Sequence, residues 1–461
     1  MLLGPIFERY VEKSPFAVVS RAILEHALSP HQLDEMFERL AETQYTRELL
    51  YSSTVDLMSL VVTRTYDSVR AAYVDEAVDI SVSLTSVYNK LQGIEDPVCA
   101  ELVRHTAARL HPVVAYLGGA LPEPIPGYHM RVLDGNHLSA TEHRLKETRN
   151  HSAAPLPGQS LVVYEPAWQM ATDIILCEDG HAQERSLLDK VVAKVKERDL
   201  WLADRNFCVK WFLLAIIKRA GFFIIREHEQ LNYCKAGKLR RRGRVETGQV
   251  LEQTVCLEDE DGKRYWVRRV VVQLDEPTRD GDQEIALMSN LPDEVTARAV
   301  AQAYRKRWTI EAGFLELTKT LCCEIDTLCY PKAALFAFCV AVAAYNVQSA
   351  IKGVMRAVHG PDKIEEELSR YFMAGEIARV HEGMMIALPA EEWEKFRAMP
   401  SEEFAEFLRQ VAQQVQLHRY PKSHRGPKKP KPKRRHSRKR PHVSTARLLD
   451  ERKAKKRQAK K

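Results

Sequence analysis

Asp134 closes the run Met130-Arg131-Val132-Leu133-Asp134, and Asp204 closes the run Leu200-Trp201-Leu202-Ala203-Asp204. Each run is short and apolar, so each reads as a strand ending in an acid. In an α/β sheet that edge is where ligands and catalytic groups gather. Two carboxylates brought together there repel each other. A divalent cation relieves the repulsion, and hard oxygen ligands suit Mg²⁺. Phosphoryl transfer uses two such ions, one activating the attacking oxygen and one stabilising the leaving oxygen. A third carboxylate is then wanted from a helix packed against the sheet, and Glu311 is the candidate. It lies in Tyr304-Arg305-Lys306-Arg307-Trp308-Thr309-Ile310-Glu311. Tyr304, Arg307 and Glu311 recur at i, i+3 and i+7, one stripe of a helix. That stripe offers a carboxylate for metal, a guanidinium for phosphate and a phenol for positioning. The three carboxyl groups are expected to converge within a few ångströms. Arg205, beside Asp204, is a candidate phosphate contact, with an ion pair to a neighbouring carboxylate as its alternative.

The elements that must carry these groups read as an α/β layer with a mixed sheet. Runs at 130–134, 160–164 and 172–176 are strands, 187–195 is a helix, 200–204 a strand, 209–219 a helix and 222–226 a strand. Residues 229–288 interrupt the pattern with short alternating runs and form a β-rich insertion. The insertion carries Lys235, Lys238, Arg240, Arg241, Arg242 and Arg244. Arg240, Arg241 and Arg242 are dense enough to favour DNA contact over a solvated hairpin tip. Helix resumes after Leu291-Pro292, and Pro331 opens a long apolar helix.

Upstream, residues 1–125 read as helices. Ser29-Pro30-His31-Gln32 predicts a helix start, with Ser29 as N-cap and Gln32 completing a capping box. Residues 76–91 fit a helix-turn-helix or a plain helical hairpin. Gly118-Gly119 and the segment 121–127, rich in proline, form a linker. The resulting division is 1–125 helical and DNA-binding, 128–228 with 289–358 catalytic, 229–288 insertion, 359–420 C-terminal helices, and 421–461 a basic disordered tail.

Charge separates that tail from the rest. Of the chain's 69 Lys/Arg and 62 Asp/Glu, residues 421–461 hold 19 and 2, leaving 50 basic and 60 acidic residues in 1–420. A tail so poor in large apolar residues does not fold alone, apart from a short helix near Ala446 to Ala459. Its cations would release counterions from a phosphate backbone without reading sequence. No run reaches about 18 consecutive apolar residues, which argues against a membrane span. Charged residues come too early at the N-terminus for a signal peptide. The nine cysteines lack CxxC spacing, so disulfides are not expected and a reducing cytoplasm fits. Cys322, Cys323 and Cys329 lack the second half of a zinc site and read as buried thiols. His137 reads as a loop residue.

Leu133-Asp134-Gly135-Asn136, Ala203-Asp204-Arg205-Asn206-Phe207 and Tyr304-x-x-Arg307-Trp308-x-Ile310-Glu311 resemble the three acid motifs of bacterial insertion-sequence DDE transposases. The group is the one called insertion-sequence family four, with its Tyr-Arg-Glu-Lys signature, and the resemblance spans roughly residues 17–355. It implies a ribonuclease-H-like catalytic domain in which Asp134, Asp204 and Glu311 hold two Mg²⁺ ions, with Mn²⁺ as a substitute. It implies double-stranded DNA partners, namely terminal inverted repeats and target DNA, and a homodimer acting on paired ends in the bacterial cytoplasm. The signature places a lysine seven residues after the glutamate. Thr318 stands there, and Lys319, next along, is the candidate for the phosphate-binding role. The Thr318 departure keeps open a decayed or domesticated DNA-binding protein, and a metal-dependent nuclease without strand transfer is a third reading.

Overall fold

A computed structural model describes residues 4–44, 46, 48–75, 80–278, 281–319, 321–422 and 442–458. Its centre is a ten-stranded mixed sheet. The strands in chain order are β1 (His129–His137), β2 (Ala154–Leu156), β3 (Gln159–Glu165), β4 (Met170–Cys177), β5 (Asp199–Ala203) and β6 (Phe222–Arg226). There follow β7 (Cys234–Lys235), β8 (Arg240–Val245), β9 (Gly248–Glu258), β10 (Arg264–Leu274), β11 (Glu284–Ser289) and, near the C-terminus, β12 (His442–Ser444). The sheet order is β4-β3-β1-β5-β6-β11-β10-β9-β7, with β8 also on β9. β1, β3 and β4 form an antiparallel meander, while β5 and β6 run parallel to β1. A parallel step needs a crossover, and the helix Lys210–Lys218 supplies it between β5 and β6.

The central strands are apolar on both faces because both faces are covered. Val132, Val162, Leu200, Leu202 and Ile224 face one core, shared with the long helices Asp96–Leu117 and Pro331–His359. Their neighbours Leu133, Leu161, Trp201, Ala203 and Phe223 face the other, shared with Leu188 and Val191 and with Phe212 and Ile216 of the crossover helix. Burying each such large side chain contributes about 1.5–3 kcal/mol. The long apolar helix expected from Pro331 runs Pro331–His359. By length and composition it could cross a membrane, yet 94% of its most apolar window is buried inside the protein.

The insertion is not a separate sheet. β11 pairs antiparallel with β6, so the insertion strands extend the central sheet. A two-residue turn, Glu246-Thr247, joins β8 to β9. Gly248 follows it because a Cβ there would meet the Gln273 carbonyl at 1.9 Å.

The N-terminal helices share their cores with the rest of the chain. Phe7, Phe16 and Val18 pack with Val347, Trp393 and Phe404. The helix Pro30–Leu40 forms as expected and buries Leu33, Met36 and Phe37, but Ser29 makes no side-chain cap. Of the segment 76–91, residues 76–79 lie outside the described residues. Leu84–Leu91 is a helix capped by Ser83, whose Oγ accepts from the Ser86 N–H.

The expected disorder of 421–461 requires correction at both ends of the segment. Residues 423–441 and 459–461 lie outside the described residues. Pro421 bridges Leu368, and the Lys422 N–H donates to the Glu367 carbonyl. Beyond 441, β12 pairs parallel with β2, and the short helix expected there forms as Thr445–Gln458. Arg447 pairs with Asp179 at 2.7 Å, and Arg452 pairs with Glu147. Composition alone did not reveal this docking, because strand pairing and two acids on the body compensate for the scarcity of apolar residues.

Candidate active site

β1 and β5 lie side by side in parallel, with Leu133 opposite Ala203. The next residue on each chain is an acid, so Asp134 and Asp204 are neighbours at one edge. Leu133 and Ala203 both point into one core. Alternation therefore turns the two acids to the opposite face, where Tyr304 and Ile310 pack. The expectation that β1 stops at Asp134 is corrected: β3 pairs with it as far as His137, opposite Gln159. Asp134 is thus inside β1, at the point where the ladder to β5 ends. His137, expected in a loop, is the last residue of that strand.

The expected single helix stripe is also broken. Ala297–Tyr304 is α-helix, Arg305–Arg307 is a 3₁₀ turn, and α-helix resumes at Trp308–Lys319. The stripe nevertheless reaches the acids. Arg307 Nη1 donates to Asp134 Oδ2 at 3.4 Å, and Nη2 donates to Glu311 Oε1 at 2.6 Å. The side chain of Arg307 is 12% exposed and that of Glu311 is 52% exposed. One guanidinium therefore stands between the first and third acids.

Burial pushes the Asp134 carboxyl up to about 7; Arg307 opposes this, while Asp204 and Glu311 add to it. Burial also pushes the Tyr304 phenol up to about 12, with Arg307 and Arg226 opposing and Asp204 adding. Tyr304 is thus a neutral, buried phenol against Arg307. Asp204 Oδ1 accepts from the Asn206 N–H at 2.8 Å, capping the turn Arg205–Phe207.

Asp134 and Asp204 suit a divalent cation, since they are adjacent oxygen donors on neighbouring strands; burial is the main reason the Asp134 carboxyl is raised, and Asp204 adds to it. The full convergence expected of three acids is not present. Among the described residues no three His, Cys, Asp or Glu side chains are grouped closely enough to hold a metal ion. Arg307 stands between Asp134 and Glu311 and bonds both carboxylates.

The other candidates divide. Arg205 is exposed and lines a polar cleft with Arg226, His228, Arg269 and Asp282. Within that cleft Arg226 pairs with Asp282, and Arg269 pairs with Glu227. Arg242 and Arg244 of the basic run pair with Glu252 and Asp275. Arg240 and Arg241 are exposed and make no ion pair among the described residues. Thr318 is exposed, its hydroxyl donating to the Phe314 carbonyl. The direction expected of the Lys319 side chain lies outside the described residues. Cys322, Cys323 and Cys329 are free thiols, and burial raises Cys323 to about 12.

The sequence reading missed Glu184 and Asn206. Asn206 Nδ2 donates to Glu184 Oε2 at 2.5 Å, next to both aspartates. Asn206 was in view inside the second motif. Glu184 has no local signal, because only the packing of the turn after β4 brings it to the site.

Residues 131–347, just under half of the chain, match the family model described as the transposase DDE domain. Asp134, Asp204 and Glu311 all fall within that stretch, and the match supports a DDE transposase. No curated protein matches the sequence. Among solved structures, the chain is similar to piggyBac transposase in its synaptic complex with hairpin DNA, at a TM-score of 0.39 and 10% identity. The similarity covers 89% of this chain and 86% of that one.

Proposed function

We propose that this chain is a DNA transposase that cleaves the ends of an insertion element and joins them to target DNA by two-metal phosphoryl transfer. The observation that carries this reading is the adjacency of Asp134 and Asp204 where the β1–β5 ladder ends, with Arg307 linking Asp134 to Glu311, inside the stretch that matches the transposase DDE domain. The order β4-β3-β1-β5-β6, an antiparallel meander followed by two strands parallel to its first, supports a ribonuclease-H-like catalytic domain. The three motifs support insertion-sequence family four.

Asp134, Asp204 and Glu311 would hold two Mg²⁺ ions, or Mn²⁺, which when bound supply activation of the attacking oxygen and charge neutralisation at the leaving one. The remaining work belongs to the side chains. Arg307 exchanges its carboxylate partners for a phosphate oxygen, which a planar guanidinium grips with two parallel N–H groups. Tyr304 backs Arg307 and positions the strand, while Arg205 and Lys319 approach flanking phosphates. Water attacks phosphorus at the element end, the P–O bond to the 3′ oxygen breaks, and a 3′-hydroxyl is freed. That hydroxyl then attacks a target phosphorus in line. Residues 1–125 and the insertion read the terminal repeats, and two copies act on paired ends.

The test is a duplex carrying the element end, incubated with Mg²⁺ and a second duplex. Cutting followed by joining supports a transposase, and cutting without joining supports a nuclease. A DNA-binding protein that has lost catalysis is the second reading. It is favoured by Thr318 in the lysine position and by Arg307 between the acids. It predicts binding to the end with no cut under any divalent metal.

A further inference from the structure

The two aspartate motifs share a partner outside both. Glu184 opens the 3₁₀ turn Glu184–Leu187 that follows β4. Its Oε2 accepts from the Asn206 side-chain amide at 2.5 Å. Its Oε1 lies over Gly135, where an added Cβ would come within 1.7 Å of it. Gly135 has no positive φ, so the glycine answers to space rather than to backbone freedom. Asn206 is held from three sides. Its amide side chain goes to Glu184, its N–H goes to Asp204 Oδ1 at 2.8 Å, and its carbonyl accepts from Arg185 Nε at 2.6 Å.

We infer that Glu184 is a positioning residue for the active site: it clamps the Asp204–Phe207 turn through Asn206 and seats against Gly135, so that Asp134 and Asp204 keep their relative placement. The inference rests on the phosphoryl-transfer reading above. A hydrogen bond to a carboxylate is stronger than a neutral one, and Glu184 acts at Gly135, one residue from Asp134, and at Asn206, two residues from Asp204. Groups that aim a ligating side chain without touching the metal are worth about 10–100-fold in activity. The same contacts account for Gly135 and Asn206, which the roles of the acids alone leave unexplained.

Three single variants of the full chain and one double variant test this. Glu184→Ala should lower the cleavage rate at saturating DNA by about 10–100-fold, leave DNA affinity and the melting temperature near wild type, and raise amide hydrogen exchange across Asp204–Phe207. Glu184→Gln keeps an acceptor for Asn206, so it should hold exchange at the wild-type level and retain most of the rate. Gly135→Ala should displace the Glu184 carboxylate and reproduce the Glu184→Ala phenotype, and the double variant should be no worse than either single one. Wild-type rate and exchange in Glu184→Ala overturn the inference. So does a Glu184→Gln variant as slow as Glu184→Ala with undisturbed exchange, which would make charge, not the clamp, the contribution. If the wild-type chain cuts no DNA with any metal, the functional reading fails, while the exchange comparison still decides whether Glu184 holds Asn206.

Discussion

The two halves of the sheet treat charge in opposite ways. In the half built from β4, β3, β1, β5 and β6, both faces are covered, and charges such as Arg131, Glu165, Asp173 and Asp199 are paired and largely buried. At the β1–β5 edge Asp134 is held at 18% side-chain exposure, with Asp204 beside it and one guanidinium shared with Glu311. In the half built from β11, β10, β9 and β8, cations are many, most are exposed, and several are paired with nearby acids. Arg242 pairs with Glu252, Arg244 with Asp275 and Arg264 with Glu258, the three arginines being 50–67% exposed. In water such pairs contribute about 0–1 kcal/mol each. In a buried edge the same charges interact far more strongly, because there is less solvent to screen them. The same residue types thus create a demand for a cation in one half and a soluble, adaptable surface in the other.

The comparison is broken most severely at the buried edge. Asp134→Ala, Asp204→Ala and Glu311→Ala should each abolish DNA cleavage, by on the order of a thousandfold or more, since loss of one ligand forfeits several kcal/mol of charge stabilisation. DNA binding, followed by gel shift, should persist. Cleavage at near wild-type rate by any one of the three removes that residue from the assignment.

Arg307→Ala comes next. It should slow cleavage about a hundredfold, the usual cost of one placed donor, while shifting overall DNA affinity little. Calorimetric titration with Mn²⁺ should show binding no weaker than wild type, because the guanidinium no longer sits between Asp134 and Glu311. Weaker metal binding in the variant would mean that Arg307 organises the acids rather than separating them.

In the other half the vulnerable point is steric. Gly248→Val drives a side chain into the Gln273 carbonyl. It should cost about 1–3 kcal/mol of stability by chemical denaturation, with cleavage per folded molecule unchanged. A loss of rate out of proportion to unfolding would tie the insertion to the catalytic edge more closely than the sheet implies.

The smallest effects belong to the exposed arginines. Arg242→Ala should cost less than about 1 kcal/mol, since Glu252 keeps Arg268 as a partner. Arg240→Ala with Arg241→Ala should leave stability alone and lower the slope of log affinity against log salt by about one for each lost phosphate contact. An unchanged slope would remove both from the DNA interface.

Much of this was written locally. The β-branched and aromatic runs at 130–134, 160–164 and 222–226 specify strands because a sheet covered on both faces demands them, and the acids after Leu133 and Ala203 were in view with them. The density of arginine in 240–244 was legible, as was the helical period around Leu33, Met36 and Phe37. Other features depended on partners distant in the chain. That β1 and β5 pair with Leu133 opposite Ala203 is a matter of register between strands 70 residues apart, and that register alone makes Asp134 and Asp204 neighbours. The place of Arg307 between two acids, the reach of Glu184 to Asn206, and the docking of β12 on β2 likewise arise from packing. Periodicity and propensity act over a few residues, so the sequence by itself determined the elements and the residue types they carry. Which groups meet, and how strongly their charges interact, was decided only when folding removed the water between them.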